Sequence, residues 1–149
     1  MTTDALQALY GLIQSRYMTR EIKFKAWEKD EKRWLEADEL FLSIKNGELS
    51  GWQAGENWIL NQYIGLKDRN GNEIYEGDIL KWTAPHLDIT EETTELSEVF
   101  FANGAFCRKT RRGLSTFIDM FREFEVNNDG ILENEEIVGN IYQNPEILL

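Results

Sequence analysis

The chain has 149 residues, 27 acidic and 16 basic, for a formal charge of −11 with its single histidine neutral. A chain of this length buries roughly 70% of its unfolded surface, so a single packed domain needs no disulfide or metal to hold it. The charge argues against gripping nucleic acid by neutralising phosphates over the whole surface; the lone Cys107 excludes an internal disulfide framework, and the lone His86 excludes a two-histidine metal centre.

Residues 3–17 predict a short amphipathic helix: Leu6, Leu9, Tyr10 and Ile13 share a face, and Asp4 suits its amino-terminal dipole. After Met18 the period changes, with Ile22, Phe24 and Ala26 alternating against Glu21, Lys23 and Lys25 as in a strand. Residues 1–17 therefore read as a helical extension and 18–149 as the main domain. The charged run Glu28 to Lys32 suits a hairpin turn toward a strand at Trp34 and Leu35. Leu40, Phe41, Leu42 and Ile44 form another apolar run, ended by the turn dipeptide Asn46-Gly47.

Trp58 to Leu66 predicts a strand; Asn70-Gly71 a tight turn; Gly77-Asp78 the entry to a strand over Ile79 to Trp82. Pro85 to Ser97 is acidic and rich in threonine, the pattern of a solvated loop. Val99 to Phe106 predicts a hairpin turning at Asn103-Gly104. Leu114 to Phe124 has helical spacing, with Leu114, Phe117, Ile118 and Phe121 on one face. A polar turn, a strand over Glu136 to Tyr142 and an extended tail containing Pro145 complete the chain. No apolar run approaches the ~20 residues that span a bilayer, and the amino terminus lacks a signal pattern, so the expected setting is the cytoplasm without a membrane partner.

Four groups of residues carry candidate chemistry. Arg108, Lys109, Arg111 and Arg112 lie beside Phe100, Phe101 and Phe106, giving charge plus stacking for nucleic acid; the competing reading, which is favoured, is a solvated strand end in an acidic chain. Glu125, Asn127, Asp129 and Glu136, with Gly130 at the sixth place, follow the oxygen spacing of an EF-hand calcium loop. Against calcium stand a glutamate in the first position and a β-branched exiting segment, which favour an Asn-Asp-Gly turn between helix and strand. Cys107 and the tryptophans at 27, 34, 52, 58 and 82 read as packing and anchoring residues. The stripe Leu6, Leu9, Tyr10 and Ile13 is too short a helix to stand alone and is the expected contact of a homo-oligomer.

Three segments carry a family resemblance: REIKFKAW, then YIGLKDRNGNEIYEGDILKW (Tyr63 to Trp82), then IVGNIYQNPEILL (Ile137 to Leu149). In order and spacing they resemble the YopX family of phage and prophage proteins over Met18 to Leu149, without the helix before Met18. The resemblance implies a phage or prophage origin and a mainly β fold with a small barrel, and it assigns no catalytic residues. The expected fold is α+β, mainly β: a small bent SH3-like barrel with a carboxy-terminal helix and the added amino-terminal helix. The expected function is that of an accessory protein acting by binding, without catalysis or cofactor, with a host protein as a candidate partner and nucleic acid disfavoured. Two alternatives stand beside it: an acidic mimic of nucleic acid that blocks a host defence or DNA-handling protein, and a nucleic-acid-binding barrel using the Arg108–Arg112 cluster.

Overall fold

Alternating side chains over most of the chain need two-sided sheets, and the computed structural model supplies two. It describes residues 2–16, 21–40, 42–51, 57–84, 94–110, 113–116 and 129–149. Helix α1 (Thr3–Arg16) comes first, followed by β1 (Phe24–Glu28), β2 (Arg33–Trp34), β3 (Leu42–Lys45), β4 (Glu48–Gly51) and β5 (Trp58–Lys67). Then come β6 (Glu73–Tyr75), β7 (Asp78–Thr83), β8 (Thr94–Ala102), β9 (Ala105–Thr110), β10 (Gly113–Thr116), β11 (Glu135–Asn140) and a 3-10 helix at Pro145–Leu148. One sheet has the order β2-β1-β5-β6, the other β10-β9-β8-β7-β11, and β3-β4 form a separate hairpin; every strand pairing is antiparallel.

Two of the three Asn-Gly turns close as two-residue hairpins. Asn46 and Gly47 have φ of 54° and 79°, and Asn103 and Gly104 have 52° and 79°; consecutive left-handed residues match the twist of a two-residue hairpin. Gly65, at φ 90°, sits where β5 slips register against β6, between the pairs Tyr63–Tyr75 and Lys67–Glu73. That bulge bends β5, so its first half pairs with β1 and its far end meets residues 130–132. There Lys67 N–H donates to Gly130 O, and Leu132 N–H donates to Lys67 O, both at 2.9 Å.

The hook plants Leu132 in the core. It is fully buried with Leu66, Ile74, Leu80 and Val99, and Ile64, Phe106 and Ile137 pack around them. Both sheets contribute, so the core is what joins them.

Three local expectations change. Leu114 lies in strand β10, where Ser115 faces Arg108 of β9, so pairing with the preceding strand outweighs the helical spacing; residues 117–124 of the expected helix lie outside the described residues. Thr94 to Ser97 belong to β8 because Glu95 and Ser97 face Trp82 and Leu80 of β7; residues 85–93 lie outside the described residues. The tail is a 3-10 turn folded onto Gly139, where a Cβ would stand 2.6 Å from Ile147 Cδ1. Among the described residues the architecture is mainly β, with one amino-terminal α-helix.

Candidate functional site

Two buried carboxylates lock the segment from Tyr63 to Trp82. Asp68 is wholly buried; its Oδ1 accepts the N–H groups of Asn70 and Asn72 at 2.9 Å, and its Oδ2 accepts Asn72 Nδ2 at 3.2 Å and Ile137 N–H at 3.1 Å. The turn is thereby tied to β11. Asp78 Oδ2 accepts Tyr75 N–H at 2.8 Å, while its Oδ1 accepts Lys25 Nζ and Asn140 Nδ2, each at 3.1 Å. The Lys25 ammonium also lies 4.2 Å from the Trp34 ring centre and 4.7 Å from that of Tyr75. Both carboxylates serve the fold.

Between them, Gly77 makes the junction on which the candidate site rests. Its N–H donates to Val99 O at 2.7 Å, and its carbonyl accepts Ile141 N–H at 2.8 Å, so β8 and the end of β11 meet there. With φ at 81°, a Cβ here would lie 3.1 Å from the Tyr142 ring and 3.4 Å from Asn61 Oδ1. A groove of about 220 Å³ opens beside this junction, lined by Asn61, Glu76, Glu98, Phe100, Phe101 and Tyr142, among others.

The groove is aromatic and negative. Tyr142 stacks on Trp27 at 6.4 Å and 22°, and Trp27 meets Trp34 edge-on at 5.1 Å, so the tyrosine wall is braced from behind. Glu76 Oε2 accepts Gln62 N–H at 2.8 Å, which orients that carboxylate. Glu98 makes no ion pair among the described residues. Burial first, and then the negative charges of Glu76 and Glu98, push the Tyr142 phenol above the usual tyrosine range. Such a site attracts a cation and offers its apolar stem a ring to lie against.

The residues singled out in the sequence fall elsewhere. Arg108 and Lys109 are consecutive strand residues and point to opposite faces. Arg108 Nη1 is hydrogen-bonded to Oε1 of the fully buried Glu135, and only 15% of its side chain is exposed; Lys109 is exposed. Of the calcium set, Asp129 is exposed, and Glu136 lies on β11 with Arg69 Nη2 at 2.6 Å from its Oε2. No group of three or more potential metal ligands occurs among the described residues. Arg111, Arg112, Glu125, Asn127, His86 and Trp52 lie outside the described residues.

Cys107 is buried with its sulfur 3.6 Å from Ala105 O and 3.7 Å from Ala102 O, a packing position. Leu6, Leu9 and Tyr10 are exposed on α1. The groove residues had no linear signal. Glu76, Glu98 and Tyr142 belong to separate segments, brought together by the pairing of β7 with β8 and β11 and by the hydrogen bonds of Gly77.

A bulged two-sheet β domain, sealed by two carboxylate-centred turns, defines a fold class with known members. The family described as YopX protein matches residues 23–149, and the chain belongs to that family. Among solved structures, the crystal structure of protein EF1440 from Enterococcus faecalis matches with a TM-score of 0.55 and 25% identity, covering 88% of this chain and all of that one. Protein yopX from Bacillus subtilis has a similar fold, with a TM-score of 0.52 and 22% identity over 85% of this chain and 96% of that one. No curated protein matches. No helix among the described residues is long and apolar enough to cross a membrane.

Proposed function

We propose that this protein is a phage or prophage accessory protein that works by binding, without catalysis, and that its groove receives a basic side chain of a protein partner. The observation that carries the reading is the pairing of Glu98, which has no ion pair among the described residues, with Glu76 beside the Tyr142 ring. An arginine fits this chemistry well: its flat guanidinium stacks on a ring and offers a fork to a carboxylate. A −11 chain also draws basic partners at long range, which raises the rate of encounter.

Calorimetric titration with a short arginine-containing peptide tests the reading against general charge attraction. Glu76→Gln with Glu98→Gln takes the charge only from −11 to −9, since two acids become neutral. Groove binding requires the affinity to fall by about tenfold or more in that variant. A loss no larger than that caused by neutralising two acids far from the groove would refute it.

The overall charge favours a second reading, an acidic nucleic-acid mimic acting on a host protein. A salt-sensitive pull-down whose captured protein is released by duplex DNA would favour it over the groove. The basic-cluster reading is weakened, because Arg108 is directed at Glu135.

A further inference from the structure

Asn61 lines the groove from the middle of β5, and only 2% of it is exposed. It shares one face of the strand with Ile59 and Tyr63, a row in which an asparagine gains nothing from strand propensity. A buried amide must find use for both its ends, because an unmet donor or acceptor there costs stability. Nδ2 donates to Ile59 O at 3.2 Å. A carbonyl can only accept, so this bond fixes which way round the amide stands. The other end, Oδ1, lies 3.4 Å from the position that a Cβ on Gly77 would take, and Gly77 lines the groove too. Oδ1 accepts no hydrogen bond among the described residues.

We infer that Asn61 is the specificity-determining residue of the groove: its Oδ1 takes a hydrogen bond from a guanidinium, so the site selects arginine over lysine in the partner. The inference rests on the groove reading given under Proposed function. Three acceptors border the space from separate elements: Asn61 on β5, Glu76 in the turn before β7, and Glu98 on β8. No lysine or arginine lines it. The head that suits it is therefore rich in donors and has no acceptor of its own. A guanidinium is flat, with five N–H donors in fixed directions, and meets an amide oxygen and a carboxylate at the same time. An ammonium is a strongly hydrated point charge on a flexible stem, without that fork. Overall charge does not separate the two side chains, whereas a buried neutral acceptor does.

Calorimetry with two peptides that differ only by arginine or lysine at one position tests the assignment. The unaltered chain should bind the arginine peptide about tenfold more tightly, and Asn61→Leu should bring that ratio below about threefold. Leucine has nearly the shape of asparagine without its oxygen, and unchanged tryptophan fluorescence shows that the variant is folded. A third peptide needs no variant: arginine dimethylated on one Nη keeps its charge but loses donors, and should bind the unaltered chain about tenfold more weakly than arginine does. Equal affinity for the three peptides, or a ratio that Asn61→Leu leaves unchanged, would overturn the role of Asn61 while the groove reading stands. Indifference of every peptide to Glu76→Gln with Glu98→Gln would instead refute the groove reading, and this inference with it.

Discussion

Around Gly77, aromatic and charged side chains are matched within the chain: Tyr142 on Trp27, Lys25 on Asp78, Asn140 on the same carboxylate. Along α1 the same kinds of side chain stay in water, with Leu6, Leu9 and Tyr10 exposed. The β3–β4 hairpin resembles the helix in this respect, with Ile44 76% exposed. Apolar content alone does not place a residue in the core. What separates the regions is whether backbone hydrogen bonds from distant segments converge, as they do at Gly77 and Lys67 and do not along a lone helix. The junction is thus fixed in shape by its own contacts, whereas the helix is not.

Substitutions should separate the two regions by the size of their effect. Asp68→Ala removes the acceptor of the Asn70, Asn72 and Ile137 N–H groups at once, and should cost about 3–5 kcal/mol in urea unfolding. A cost below about 1 kcal/mol would mean that water replaces the carboxylate. Leu132→Ala follows, at about 2–5 kcal/mol, because the fully buried side chain leaves a cavity between the sheets. Gly77→Ala should cost about 1–3 kcal/mol through its positive φ and the contact with Tyr142, and should also reduce peptide binding. At the other end, Leu9→Ala should change domain stability by no more than about 0.5 kcal/mol, as expected of an exposed position.

The pH dependence should sharpen the same contrast with smaller effects. The Arg33 guanidinium holds the Glu39 carboxyl down at about 2, and Lys23 lowers that of Glu73. Depressed carboxylates stabilise the fold above their ordinary range near 4.3, and that contribution is lost as pH falls toward 2. Arg33→Ala should flatten this acid limb of the urea midpoint. The Tyr75 phenol is pushed up to about 12, by burial first and then by its hydrogen bond to Glu73. A raised phenol stabilises the fold below about pH 10, and that contribution is lost as pH climbs to 12. Absorbance of ionised tyrosine should show Tyr75 titrating late, with Tyr75→Phe removing that step.

Much of the fold is legible in the sequence because its signals are local. Asn46-Gly47 and Asn103-Gly104 need only their own backbone preference to make hairpins, and the bulky run Trp58 to Leu66 needs only its strand propensity. Leu114 misleads because an apolar spacing is compatible with a helix until a neighbouring strand claims the segment. The candidate site is nearly invisible for the same reason on a longer scale. Glu76, Glu98 and Tyr142 look like ordinary residues of three strands and turns, and the pairing of β7 with β8 and β11, together with the hydrogen bonds of Gly77, makes them neighbours. Arg108 shows the converse, a conspicuous basic residue whose partner, the buried Glu135, lies in another strand of the same sheet.

Backbone-amide NMR during titration with the arginine-containing peptide tests the groove most directly, because the Gly77 and Ile141 amides lie at its junction. The account predicts saturable shifts concentrated at Gly77, Glu98, Phe100, Ile141 and Tyr142, with α1 unmoved and the whole response absent in the Glu76→Gln, Glu98→Gln variant. Small shifts scattered over all acidic segments, or shifts confined to other strands, would contradict it.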